Sequence, residues 1–452
     1  MTTYDVDVVV LGLGPGGEYA AQKLAEAGLD VVGVDRDLVG GECPFYGCIP
    51  SKMMIRAADA LGEARRVDQL AGHAQVEPDW GAVAKRIDKQ ATNHWRDDSH
   101  VERLEAAGVR IVRGQGELVG TGRVRVDEDE YVGARGVVLN VGTSPAQLPI
   151  DGLASTPHLT NREVVKLTEL PGSMVIIGGG PIGCELAQAF HRFGTDVTVL
   201  ELADRLLPPE EPESGELLAR VFAEEGIRVE TGTTIERVDH ANDRFRVTTD
   251  RGEIEADQLL VAAGRTLNLH GIGLENVGLD PDARSVDTDE WMRAGERLWA
   301  VGDITGHGPF THVSMYQGDV VVRDVLAQGG PPADYRAVSR VTFTDPEVGS
   351  VGMSEKAARD AGLDVRVGRA DLAESSRGWI HQQGAEGLVK LVADADRGVL
   401  VGAASVGPSG GEVLGLLALA VHAEVPLERI ASMHFAYPTF HRAIEVAVKQ
   451  LL

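Results

Sequence analysis

The amino-acid sequence predicts an α/β fold of about three domains. Three observations carry that expectation. A glycine-rich turn between a strand and a helix occurs twice, at a constant offset of 166 residues. In each copy the strand that follows closes on an acidic residue. From about residue 336 onward, strands and amphipathic helices continue without another such turn. Each copy reads as a Rossmann-like dinucleotide-binding unit, and the last stretch as an α+β domain. A chain of 452 residues is too long for one hydrophobic core. Its 55 glycines suit a protein with many tight strand-to-helix turns.

In the first copy, V-D-V-V-V-L at 6–11 reads as a buried strand and Gly12-Leu13-Gly14-Pro15-Gly16-Gly17 as the turn. The helical pattern E-Y-A-A-Q-K-L-A-E-A follows, then L-D-V-V-G-V-D at 29–35, a strand ending at Asp35. In the second copy, M-V-I-I at 174–177 precedes Gly178-Gly179-Gly180-Pro181-Ile182-Gly183, a helix C-E-L-A-Q-A-F-H-R-F and the strand T-D-V-T-V-L-E, ending at Glu201. Gly12, Gly14, Gly17 and Asp35 thus match Gly178, Gly180, Gly183 and Glu201. A lone G-x-G-x-x-G is common, but this context is specific. The glycines make the turn and let the backbone and helix N-terminus approach a pyrophosphate, while the acid accepts hydrogen bonds from ribose hydroxyls. Two bound dinucleotides are expected. The segments closing on Gly142 and Gly264 each read as the last strand of such a unit, and L-W-A-V-Gly302-Asp303 as a further strand ending in an acid. Alternating patterns between 116 and 133, and between 228 and 257, predict small antiparallel inserts.

Composition narrows the function. The formal charge of −26, from 69 acidic and 43 basic residues, argues against nucleic-acid and anionic-membrane partners. No run approaches the roughly 18 apolar residues of a membrane span, and the N-terminus leads into a Val-rich strand without a signal-peptide layout. A cytoplasmic protein is expected. Three cysteines, Cys43, Cys48 and Cys184, make no secreted disulfide scaffold. Zinc needs about four ligands, and no second Cys or His pair at ligand spacing accompanies Cys43 and Cys48, so no metal is expected.

The segment Gly40-Gly41-Glu42-Cys43-Pro44-Phe45-Tyr46-Gly47-Cys48-Ile49-Pro50-Ser51-Lys52 directly follows the first unit. Two cysteines separated by four residues at a helix start can close a disulfide beside a cofactor held by the first turn. A free thiol has a pKa near 8.5, and a helix N-terminus or a nearby cation lowers it. The segment G-G-E-C-x4-C-I-P-S-K resembles the redox-disulfide signature of the pyridine nucleotide–disulfide oxidoreductases, which include lipoamide dehydrogenase, glutathione and mycothione reductases, and mercuric reductase. The resemblance continues through V-A-A-G-R-T-L-N (261–268), A-V-G-D (300–303), F-T-D-P-E-V-G-S-V-G-M-S-E (343–355) and E-G-L-V-K-L-V-A-D (386–394), and so covers essentially the whole chain.

That resemblance implies an FAD-binding domain (1–150, returning at 271–335), an NAD(P)H-binding domain (151–270) and a C-terminal dimerisation domain (336–452). It implies that Cys48 faces the flavin and Cys43 exchanges with substrate. Lys52 and Glu185 are similar in position to the family's ion pair near the flavin N5. Asp303 matches the acid on the FAD ribityl chain, and Pro309 to His312 the segment covering the flavin. Gly41, Gly116, Gly142 and Gly264 complete the expected cofactor contacts. Glu201 favours NADH, because a carboxylate repels the 2′-phosphate of NADPH and accepts from a free 2′-OH; Arg205 is a mild counter-signal. A homodimer with its active site completed across the interface is implied.

Two features depart from the family. Its disulfide reductases carry a His-Pro-Thr near the C-terminus, with Glu five residues after the His. Here Tyr437 stands at the His position and Arg442 at the Glu position, and His434 and His441 lie off the spacing. A tyrosine near pKa 10 is a poor base at pH 7, and general acid–base assistance is worth about 10²–10⁴-fold. Tyr at this place is similar to mercuric reductases and soluble transhydrogenases. Yet the C-terminal cysteine pair of the former is missing, and both redox cysteines, absent from the latter, are kept. In the disulfide loop, Pro44-Phe45-Tyr46 replaces the family's Asn with a more apolar run.

Three functions remain, in this order. The first passes electrons from NADH through FAD and the Cys43/Cys48 pair to a disulfide or related sulfur substrate. The second gives them to a quinone, metal ion or other small acceptor. The third is a non-catalytic flavoprotein subunit. Intact thiols favour the first, since idle ones beside a flavin would invite oxidation; Tyr437 favours the second.

Overall fold

A computed structural model describes residues 2–452; Met1 lies outside the described residues. The chain divides into two compact units. One contains the chain up to Pro50, Arg86–Ala146 and Arg265–Asp334; the other contains Ser51–Lys85, Gln147–Gly264 and Tyr335–Leu452.

The first unit is built on β1 (Thr2–Leu11), which pairs in parallel with β2 (Val31–Asp35) on one side and with Asp129–Leu139 on the other. The run Val8–Leu11 is buried, as expected for a parallel strand covered on both faces. Val109–Arg113 extends the sheet beyond β2, and Leu298–Ala300 extends it beyond Asp129–Leu139. Gly116–Gly120, Arg123–Val126 and the start of Asp129–Leu139 make the first antiparallel insert. The helix α1 (Pro15–Glu26) packs against Thr311–Val325 where both lack bulk. A Cβ on Gly16 would meet the Ser314 Oγ at 2.2 Å, and one on Gly318 the Gly16 carbonyl at 2.9 Å.

The second unit contains a four-stranded parallel sheet in the order Arg228–Glu230, Asp196–Leu200, Ser173–Ile177, Gln258–Val261. A three-stranded antiparallel insert follows: Ile235–Ala241, Arg244–Thr249 and Gly252–Ala256. The insert predicted from residue 228 therefore begins at Ile235. Arg228–Glu230 lies parallel to Thr198–Leu200 instead, because a three-residue run carries too little alternation to separate a parallel edge strand from a hairpin arm. The C-terminal part is a five-stranded antiparallel sheet, in the order Ser339–Thr342, Glu347–Gly352, Val399–Gly407, Leu388–Asp394, Val365–Asp371. Gly410–His422 and Ala443–Lys449 cover it, burying Leu391, Leu414, Leu417, Ile444 and Val448 in one core. Among the described residues, no helix is long and apolar enough to cross a membrane.

Candidate active site

The two glycine turns are alike at the level of single atoms. Gly12 and Gly178 adopt φ of +95° and +114°, which a side chain would strain. Gly14 and Gly180 are helix N-caps with nearly equal backbone angles, each followed by a proline and each without a side-chain cap. The first-turn N–H groups are therefore left to an anionic ligand. A Cβ on Gly17 would meet the Gly12 carbonyl at 2.0 Å, and one on Gly183 the Gly178 carbonyl at 1.9 Å. Only glycine lets these helices start so close to their strands.

The acids do more than the sequence suggested. Asp35 accepts from the amides of Leu13 (2.7 Å) and Asp37 (2.8 Å). Glu201 accepts from those of Gly179 (2.6 Å) and Ala203 (2.7 Å), the positions equivalent to Leu13 and Asp37. Each carboxylate thus braces its own glycine loop and keeps lone pairs for ribose hydroxyls. Burial pushes the Asp35 carboxyl up, against the two amides that favour its charge. Arg205 donates to the Pro208 carbonyl (2.7 Å) and to Asp204 (3.2 Å).

The cysteine segment is tied to the first cradle. Gly40 donates to the Leu13 carbonyl (2.7 Å), and Gly41, at φ +69°, lies where a Cβ would come 2.9 Å from the Gly14 Cα. Gly41 caps the short helix α2 (Glu42–Phe45) carrying Cys43, and Cys48 opens the long helix α3 (Cys48–Leu70). Both thiols are half-buried. The Cys48 Sγ lies 3.6 Å from the Thr311 Oγ1, at the start of Thr311–Val325. In the same unit, Asp303 accepts from the Thr143 hydroxyl (2.7 Å), which accepts from Arg265 (2.6 Å), and Arg265 reaches Glu42 at 3.5 Å. His312 is exposed, two residues after Phe310, on which its ring stacks at 5.4 Å; Pro309 is exposed beside them. Gly142 takes φ +63° and accepts from the Asn268 amide, and Gly264 takes φ +89°. Gly116 is a close-packed position, where a Cβ would meet the Leu11 Cδ1 at 2.4 Å.

In the second unit the Lys52 Nζ is 2.7 Å from the Glu185 Oε2, with Glu185 only 4% exposed. The other oxygen of Glu185 accepts from the Phe343 amide (2.8 Å), and the Lys52 ammonium stands 4.8 Å from the Phe343 ring centre. Lys52 follows Cys48 by four residues in α3. Phe343, Thr143 and Arg265 carried no assigned role in the sequence, and Thr311 was covered only as part of the segment Pro309 to His312. Phe343 acts mainly through its backbone, which leaves no residue-type signal, although it opens the quoted F-T-D-P-E run.

Tyr437 lies in the second unit, the cysteines in the first. Its side chain is 67% exposed, and the Arg442 guanidinium carbon lies 5.3 Å from its ring centre. The His441 ring lies 5.9 Å from Phe435, and His434 is exposed.

Residues 6–318 match the family model described as pyridine nucleotide-disulphide oxidoreductase, and residues 338–448 match that family's dimerisation domain. The chain is 34% identical to a dihydrolipoyl dehydrogenase of Halobacterium salinarum, over 99% of this chain and 96% of that one. It is 30% identical to a mercuric reductase of Staphylococcus aureus, over 98% and 82%. Among solved structures, the Cu(II) complex of the HOCl-induced flavoprotein disulfide reductase RclA from Escherichia coli is similar, with a TM-score of 0.86 at 25% identity and 99% of both chains covered. LpdA from Mycobacterium tuberculosis also reaches 0.86, at 26% identity over the full length of both.

Proposed function

The chain belongs to the pyridine nucleotide-disulphide oxidoreductases, and from that premise we propose that it carries electrons from NADH to a sulfur substrate through Cys43 and Cys48. It is an FAD-dependent NAD(P)H oxidoreductase with a redox-active disulfide, built from FAD-binding, NAD-binding and dimerisation domains. The finer assignments are our reading. The cradle at Gly12, Gly14, Gly17 and Asp35 holds FAD, and that at Gly178, Gly180, Gly183 and Glu201 holds NADH. Uncapped helix starts fit the diphosphate of each. Glu201 closes the strand at the position that would meet a 2′-phosphate, and the two terminal nitrogens of Arg205 donate to Asp204 and Pro208. Both support NADH over NADPH. Gly41, Gly116, Gly142, Asp303, Pro309 and His312 complete the FAD contacts, and Gly264 those of the nucleotides. Two copies of the chain assemble through residues 338–448, in a reducing compartment such as the cytoplasm.

FAD supplies the two-electron acceptor that links nicotinamide to sulfur. With FAD bound, Lys52 would supply positive charge to offset that of the reduced ring, and Glu185 fixes the ammonium by the 2.7 Å contact. The reduced pair then works as two thiols. The Cys43 thiolate attacks one sulfur of the substrate disulfide and expels the other as a thiolate, which takes up a proton. Cys48 attacks Cys43 in the resulting mixed disulfide, releases the second substrate thiol and restores the Cys43–Cys48 bond. The observation that carries this reading is the seating of the Cys43 segment on the first glycine turn, where Gly40 donates to the Leu13 carbonyl and Gly41 packs closely on Gly14.

A second acceptor class, a metal ion or quinone, is favoured by one feature: Tyr437 and Arg442 stand where the sulfur reading wants an acid–base pair. The relatives include a mercuric reductase and a flavoprotein solved as its Cu(II) complex. Cys43→Ser separates the two. Under the first reading, NADH-dependent reduction of lipoamide or glutathione disulfide falls by at least about 10³-fold. Retention of that activity refutes it, and survival of Cu(II) or benzoquinone reduction alone supports the second.

A further inference from the structure

The helix Pro181–Arg192 presents Glu185, Gln188 and Arg192 along one face, and all three grip the segment Phe343–Asp345. Gln188 reads the backbone of Asp345 from both sides: its Oε1 accepts from the amide (2.7 Å) and its Nε2 donates to the carbonyl (2.8 Å). Arg192, 1% exposed, donates to the Asp345 carboxylate (2.7 Å), to Glu225 (2.6 Å) and to Asp59 (3.0 Å). Lys52, Asp59 and Arg66 recur at seven-residue intervals on α3, about two turns apart and so on one side. They meet Glu185, Arg192 and Asp345 in turn, at 2.7, 3.0 and 2.7 Å. Gly62 makes room, since a Cβ there would fall 2.8 Å from an Arg192 nitrogen.

A buried arginine is costly unless every donor is satisfied. Here burial opposes its charge, but Glu225 and Asp345 outweigh that and hold its pKa above the ordinary value. Burial likewise pushes Asp345 up, and Arg192 and Arg66 more than reverse it. Arg192 and Asp345 therefore hold each other in the charged form. The row of contacts ends at the Phe343 amide, which occupies one oxygen of Glu185 and leaves the other for Lys52.

We propose that Gln188, Arg192 and Asp345 are positioning residues that hold Phe343 against Glu185 and thereby set the place of the Lys52 ammonium. The proposal rests on reading the Lys52–Glu185 pair as flavin-side. Its consequence is that a contact three and seven residues beyond Glu185 tunes the flavin, although none of the three residues touches the pair itself.

The test uses FAD-loaded Gln188→Leu and the isosteric Asp345→Asn, beside Lys52→Met and Glu185→Gln. Hydrogen exchange of the peptide containing Phe343 should speed up about tenfold in Gln188→Leu. The flavin midpoint potential should move in the same direction as in Lys52→Met. Flavin reduction by NADH should slow about tenfold or more, with the KM for NADH held within about twofold. If Lys52→Met and Glu185→Gln move the potential while Gln188→Leu and Asp345→Asn leave it and the exchange unchanged, the proposal is overturned alone. If none of the four moves the potential, the flavin-side reading of the pair fails, and the proposal with it.

Discussion

The Arg442 guanidinium lies against the ring of Tyr437. The two stand in place of the family's His and Glu, which supply proton transfer to the exchanging thiol in the sulfur reading. The double substitution Tyr437→His with Arg442→Glu rebuilds the family's pair. Under our reading it raises steady-state turnover of lipoamide about 10–10²-fold, and an unchanged rate would show that proton transfer at this position is not limiting. At this scale the sequence was most informative where residue identity is the mechanism: the glycines, Asp35, Glu201 and the cysteines. It was silent where a side chain serves through a partner. Nothing in the sequence marks Asp35 as a brace for Leu13, or Gly41 as a spacer against Gly14, because each contact ends on a backbone atom of its partner.

Among the elements, α3 shows how one helix carries both chemistry and support. Its first turns hold Cys48 and Lys52, and its later turns hold Asp59 and Arg66. Burial pushes the Asp59 carboxyl up to about 6, against the pull of Arg192. The folded state thus binds this proton more tightly than the unfolded chain, whose Asp titrates near 3.9. The stability it contributes is present below about pH 4 and is lost as pH rises through 6. Unfolding free energy of the wild type relative to Asp59→Asn should fall over that window and stay level above it. With the Asp59 side chain 38% exposed, solvent screening limits the change to on the order of 1 kcal/mol. A level difference from pH 4 to 7 would contradict the assignment.

The strand Leu388–Asp394 offers a second case. Lys390 is 4% exposed and meets Glu211 (2.8 Å), Glu213 (2.9 Å) and Glu355 (3.0 Å). Burial works against its charge, and the three carboxylates win, raising its pKa above the ordinary value. Lys390→Met strands those acids and should cost about 3–5 kcal/mol in denaturant unfolding; a cost under about 1 kcal/mol would mean that the acids find other partners. The sequence displayed this strand as V-K-L-V, where a lysine reads as solvent-facing. Its burial depends on Glu211 and Glu213, 179 and 177 residues away in sequence, together with Glu355, which no local pattern encodes.

For the whole molecule, the two Rossmann-type cradles were legible because each rests on a local repeat: strand, glycine turn, helix, acid. The C-terminal domain was legible only as strands and amphipathic helices without that turn, and its five-stranded antiparallel order was not. The division into compact units was less legible than the cradles. Ser51–Lys85 fall with the second unit although Cys43 and Cys48 fall with the first, and the helical pattern of Cys48–Leu70 shows no break at that point. The central claim is that electrons reach Cys43 and Cys48 from FAD. Anaerobic titration of the FAD-loaded protein with NADH tests it most directly. The account predicts a long-wavelength thiolate–flavin charge-transfer band at two electrons per flavin, lost in Cys48→Ser. Bleaching of the flavin with no such band would contradict it.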